Sequence, residues 1–199
     1  MTTPTLTAAA PALSSTQATI VVSADALFTA EGVVAVPSER IAAHAGLTVA
    51  AVESAFPSRQ QLVVAALRYR HRDWMNGLLA AEALHTDPRD RILALFGYLE
   101  TCFTADGYRG CAFINGYGEL GRVDPVVARL ADEHLRQCEQ HIAMLCDAAE
   151  LPAHLAPALT LLVQGAQVEA AIHGVADPAR TARTAAAMLM AVYDGAALA

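Results

Sequence analysis

The chain contains no lysine. All thirteen of its cations are arginine, the first is Arg40, and acids outnumber them to leave a formal net charge of −7. It therefore lacks the overall basic footprint that most nucleic-acid binders carry. Long hydrophobic runs are missing as well. Although 55% of the residues are hydrophobic, none of the runs reaches the roughly 18 unbroken apolar residues of a membrane span. The nearest approach, Leu155 to Ile172, is interrupted by Gln164, Gln167 and Glu169. No basic stretch precedes an apolar run at the N-terminus, so the expectation is a cytoplasmic protein without a secretory leader or a membrane partner. The four cysteines, Cys102, Cys111, Cys138 and Cys146, show no CxxC spacing and read as reduced, buried thiols rather than a disulfide framework. No useful run alternates with period two, so the fold class is all-α. Nucleophile-elbow, P-loop, dinucleotide-binding and HExxH patterns are absent, which argues against an enzyme and leaves no cofactor to assign.

What is present is helical punctuation. Residues 1–15 are Thr, Ala, Pro and Ser-rich without charge and read as a flexible tail. From Thr16 to Glu31 the residues Ile20, Ala24, Leu27 and Phe28 share one face, and Gly32 is a natural stop. Asp87-Pro88, Asp124-Pro125 and Asp177-Pro178 each place a capping carboxylate before a proline that suits a first helical position. Apolar stripes follow: Ile92, Leu95, Phe96, Leu99 and Phe103; then Val127, Leu130, Cys138, His141 and Leu145; then Leu155, Leu159, Leu162, Ala166 and Ala170. A long helix over 59–84 carries Val63, Leu67, Trp74, Leu78 and Ala81 on one stripe. Glycines between Gly107 and Gly121 break the next connection, leaving one short helix around Phe113 to Leu120.

Ser38 to Leu62 is the most informative stretch. Ile41 and Ala42 supply the inner face of a first short helix, Gly46 makes a turn, and Thr48 caps a second helix whose Val52 and Phe56 pack back. Pro57 forces a stop before Ser58 caps the helix that follows. That is the anatomy of a helix-turn-helix. At these residues the chain resembles the TetR family of bacterial transcriptional regulators. The Leu27-Phe28 and Gly32 ending, the Ile41-Ala42 and Ala45-Gly46 pair, and the Phe56-Pro57-Ser58-Arg59 to Leu62 run stand in the family's order and spacing. Arg109 to Gly121 is similar to the start of the family's sixth helix, and the last two helices, about 152–193, to its dimerisation pair.

The resemblance implies about nine helices: a DNA-binding helix-turn-helix domain at 16–62, and a body at 63–199 for ligand binding and dimerisation. It implies a ligand-responsive repressor that binds a palindromic operator as a homodimer through the last two helices. Residues expected on DNA are Arg40, Thr48, Val49, Ala50, Glu53, Ser54, Ser58 and Arg59. The recognition helix departs from its relatives, which usually carry lysine where Val49 stands, tyrosine at Glu53 and an aromatic or histidine at Ala55. Met1 to Leu62 holds two arginines against four acids. The alternative is thus a dimeric small-molecule-binding or protein-interaction module of the same fold with weak or lost DNA binding.

For the body, Trp74, Leu78, Phe96, Leu99, Phe103, Cys111, Phe113, Asn115, Tyr117 and Gln164 are the candidates to line a pocket for an apolar or aromatic ligand. Each of these apolar residues, taken singly, reads as core before it reads as pocket lining. Gln164, Gln167 and Glu169 suit a dimer seam as well as a pocket. His134, Cys138 and His141 share one face at metal-ligand spacing, but no fourth ligand is identifiable and no metal is assigned. Cys111 reads as a buried structural thiol, with a reactive thiolate as the alternative, since Arg109 and a helix start beside it would both lower a thiol pKa.

Overall fold

A computed structural model describes Leu6 and residues 12–193 of the chain. Among the described residues there are nine helices and no strand: α1 Ser15–Glu31, α2 Ser38–Ala45, α3 Val49–Ala55, α4 Arg59–Glu82, α5 Pro88–Phe103, α6 Ala112–Leu120, α7 Pro125–Ala148, α8 Leu155–His173 and α9 Asp177–Ala191. The expected tail over 1–15 falls mostly outside the described residues. Within them, Leu6 is buried and donates its N–H to Glu133 Oε2 at 2.7 Å. Ser14 caps α1 in a reciprocal box with Gln17, so the helix begins where a hydroxyl can take up an orphan N–H.

The proline-linked caps behave in two ways. Asp87 accepts from the N–H groups of Arg89 and Asp90, and Asp124 from those of Val126 and Val127, as the sequence led us to expect. Asp177 does not cap. It lies inside the first turn of α9, and its carboxylate pairs with Arg180 three residues on. An arginine within reach of the same turn competes for the oxygens that would otherwise serve backbone donors.

The chain divides into two compact units that do not follow chain order. The first comprises residues up to Asp73 together with Ala112–His134, and the second comprises Trp74–Cys111 and Leu135–Ala199. The division passes within α4 and α7. In the first unit, Ile20, Val21, Ala24, Ile41, Ala42, Val52, Leu62 and Ala66 make a shared core. Burying each large aliphatic among them contributes roughly 1.5–3 kcal/mol. Arg70 adds a two-pronged pair to Asp25, with Nε to Oδ1 at 2.8 Å and Nη2 to Oδ2 at 2.5 Å, fixing α4 to α1. Burial pushes the Asp25 carboxyl above its ordinary range despite the Arg70 guanidinium beside it.

In the second unit, the α5 stripe of Ile92, Leu95, Phe96 and Leu99 meets Leu155, Leu159 and Val163 of α8. Ala179, Ala182 and Ala186 give α9 a face of small side chains, on which α5 and α8 both pack. α8 is long and apolar enough to cross a membrane by length and composition. It is here a core helix, with Leu155, Leu159, Val163, Ala166 and Ala170 buried.

Candidate nucleic-acid interface

Local chemistry builds the α2–turn–α3 unit. Gly46 ends α2 in the left-handed region at φ 66°, where a side chain would be strained, and its N–H reaches back to the carbonyls of Ala42 and Ala43. Leu47 N–H adds a bond to Ala42 O at 2.9 Å. Thr48 Oγ1 accepts from Ala51 N–H at 3.2 Å and starts α3. Val52 is the buried residue of α3 and packs with Ile41 and Ala42. With that face turned inward, Ala50, Glu53 and Ser54 are exposed, while Val49 and Ala51 are half-buried. The outer surface of α3 is thus small, polar and carries one negative charge.

The two arginines expected on DNA are not equivalent. Arg40 remains largely exposed on α2, paired with Glu31 at the end of α1. Arg59 is exposed at the start of α4 but its guanidinium folds onto the α1–α2 loop: Nη2 donates to Val33 O at 2.6 Å and to Val36 O at 2.5 Å, and the guanidinium lies 4.7 Å from the centre of the Phe28 ring. Desolvation lowers its pKa from the usual value. The α1–α2 loop presents two carbonyls that need donors, and Arg59 supplies them from the first turn of α4. Ser58 Oγ is likewise engaged, accepting from Gln61 N–H at 3.2 Å.

Two carboxylates from residues 112–134 hold this unit from another side. Glu119 Oε2 accepts from Val34 N–H at 2.8 Å. Gly32, at φ 89°, leaves room for that approach, since a Cβ there would stand 3.0 Å from Glu119 Oε1. Asp124, besides capping α7, accepts from Gln60 Nε2 at 3.0 Å on both oxygens. Deeper in the first unit, His71 Nδ1 and His134 Nδ1 are 3.0 Å apart, and Phe113 stacks on His134 with centroids 3.9 Å apart. One ring must donate and the other accept, so at least one imidazole is neutral. Burial, with His71 adding a smaller effect, pushes His134 down to about 3.

The residues expected around a ligand are divided between the units. Leu78, Phe96, Leu99 and Phe103 are buried core of the second unit, with Trp74 half-buried edge-on to Tyr98. Cys111 and Gln164, also in that unit, are half-buried. Phe113, Asn115 and Tyr117 fall in the first unit. Phe113 is the ring over His134, whereas Asn115 is exposed and Tyr117 is 52% exposed. The row His134, Cys138, His141 is split in use: His134 faces His71, and His141 Nε2 lies 2.6 Å from Glu82 Oε1. Burial, with Cys111 nearby, pushes the Cys138 thiol up to about 12, which marks it as unreactive.

Sequence reasoning missed Glu82, which is fully buried and holds Arg91 through its second oxygen at 3.1 Å. A signal was available. His71 and Glu82 both fall on the Leu67–Trp74–Leu78 stripe, and a polar residue on an apolar stripe needs a buried partner.

Residues 20–66 match the sequence profile of the bacterial regulatory proteins, tetR family. No curated protein sequence matches the chain. Its fold is similar to that of a TetR-family transcriptional regulator from Streptomyces coelicolor, with 22% identity, 89% of each chain covered and a TM-score of 0.78. A TetR transcriptional regulator from Chloroflexus aurantiacus is 24% identical, with 87% of this chain and 92% of that one covered and a TM-score of 0.75. A transcriptional regulator from Saccharomonospora viridis, solved in complex with choline, is 20% identical over 84% of this chain and 93% of that one, with a TM-score of 0.71.

Proposed function

We propose that this chain, which belongs to the TetR family by the helix-turn-helix of residues 20–66 and by its fold, is a ligand-responsive transcriptional repressor. It acts in the cytoplasm as a homodimer on a palindromic operator. The observation that carries this reading is the presentation of α3. Gly46, Thr48 and Val52 fix the helix from behind and leave Ala50, Glu53 and Ser54 outward, the arrangement a major-groove reader requires. A glutamate in that position can accept from cytosine N4, and Arg40 and Thr48 serve the backbone.

Dimerisation through α8 and α9 is supported by a second surface. Leu161, Val168 and Ile172 recur at spacings of seven and four on α8, and Leu161 and Ile172 are 68% and 71% exposed. Met188 and Val192 extend the apolar exposure onto α9. Two such faces can meet about a two-fold axis, the symmetry that a palindromic operator requires. The ligand is apolar or aromatic and binds among Trp74, Leu78, Phe96, Leu99 and Phe103, with Cys111 and Gln164 as polar neighbours.

A second reading, the same dimeric fold with weak or lost DNA binding, is favoured by the bonds of Arg59 to the α1–α2 loop and the pairing of Arg40 with Glu31. Fluorescence anisotropy on the DNA flanking the protein's own gene separates the two. A saturable, sequence-specific rise at low salt is expected of the repressor. A response that random DNA reproduces leaves only the second reading.

A further inference from the structure

Large hydrophobic side chains are exposed in a cluster on α8 and just beyond it: Leu161, Val168, Ile172 and Val175. A contiguous apolar face of this kind marks a surface that another molecule covers, whereas single exposed residues do not. On α8 the face is one row. Leu161, Gly165, Val168 and Ile172 follow at spacings of four, three and four, opposite the buried Leu159, Val163, Ala166 and Ala170.

The row has a gap at Gly165. Glycine inside a helix is costly relative to alanine, so its presence there needs a reason. The single chain supplies none. Gly165 is not among the glycines with positive φ, and a Cβ on it would meet nothing within 4 Å. Gly97 on α5 is equally open, but it stands beside Glu100 and the exposed Thr101 rather than in an apolar row.

Charge narrows what covers the row. Leu155 to Val168 contains no charged residue, and Glu169, beside the row, pairs with His173 at 3.1 Å. A face of that kind does not favour nucleic acid or a charged peptide. Two copies of a chain with a formal net charge of −7 repel each other, and they meet at least cost where neither presents charge.

We propose that Gly165 is the point at which α8 crosses the α8 of a second copy of this chain. The inference rests on the homodimer reading above and places its axis. At a two-fold axis a residue faces its own counterpart, and glycine against glycine lets the two backbones close up. Leu161 and Val168, on either side of the gap, then supply the apolar contact. A side chain at position 165 would hold the helices apart.

Sedimentation equilibrium of the full-length protein and of single variants tests the assignment. The unmodified protein should be a dimer. Gly165→Ala should weaken association about tenfold and Gly165→Leu about a hundredfold, the effect of overpacking a closed contact. Leu161→Asp should dissociate the dimer, and Gly97→Ala should leave association unchanged. Positions 97, 161 and 165 are exposed, so circular dichroism should show every variant fully helical. Gly165→Ala is the sharpest of them, because a glycine that was merely tolerated would gain helix stability with no loss of association. A monomeric unmodified protein would overturn the homodimer reading and the crossing with it. A dimer that Leu161→Asp dissociates but Gly165→Leu leaves intact would overturn the crossing alone. A dimer untouched by both variants would overturn the crossing and move the interface to another face.

Discussion

In the first unit the buried polar pair is two imidazoles, His71 and His134, joined by one hydrogen bond beneath Phe113. In the second it is a carboxylate, Glu82, between the Arg91 guanidinium and the His141 ring. The first arrangement avoids the cost of burying a charge by keeping an imidazole neutral; the second accepts that cost and offsets it with two donors. Both tie together helices that are distant in sequence. The difference teaches where charge goes in this molecule. Arg59, Arg70 and Arg91 hold loops and helices in place, and the surfaces left for partners, the outer face of α3 and the apolar row on α8, carry little charge.

The comparison breaks most visibly at Glu82. Glu82→Ala removes the acceptor for Arg91 and His141 and should cost about 3 kcal/mol, as expected when one partner of a buried pair is lost. Differential scanning calorimetry would read this as a lowered Tm, and a change below the error of the measurement would mean the pair is not structural.

Acidification should act on the first unit. The folded-state pKa of His134 lies near 3, below its ordinary value of 6.5, so the unfolded chain binds the extra proton first. The associated stability is present above pH 6.5 and declines as pH falls towards 3, by about 1.4 kcal/mol per pH unit for this one group. Denaturant titrations between pH 7 and pH 5 should show that decline, and His134→Gln should flatten it.

Arg59→Gln is the smallest of the three perturbations. It withdraws the donor for the Val33 and Val36 carbonyls and should destabilise by about 1 kcal/mol, since the group is partly exposed and water replaces some of the loss. Its effect should appear in stability before it appears in the salt dependence of DNA binding. The reverse order would assign Arg59 the phosphate-contacting role.

Much of the architecture was legible because it is local. The Gly46 turn, the Thr48 and Ser58 caps, the Asp87 and Asp124 caps before proline and the apolar stripes of α5 and α7 are all written within a few residues of where they act. Three features were not legible, for one reason. The fold of the Arg59 guanidinium onto the α1–α2 loop depends on carbonyls at Val33 and Val36, the lowered pKa of His134 on its burial and on His71, and the inclusion of residues 112–134 in the first unit on contacts such as Glu119 to Val34. Each is a long-range pairing that periodicity does not encode. Asp177 failed as a cap because a competing arginine stood one turn away.

Low charge at the partner surfaces is tested most directly by the salt dependence of operator binding. With Arg40 as the exposed arginine of each α2–α3 unit, a dimer neutralises about two phosphates, and log K should fall against log salt with a slope of about −2. A specific complex with that shallow slope is the expected result. A slope of about −5 or steeper would contradict the account, because it requires cations beyond Arg40 that the α2–α3 unit does not carry.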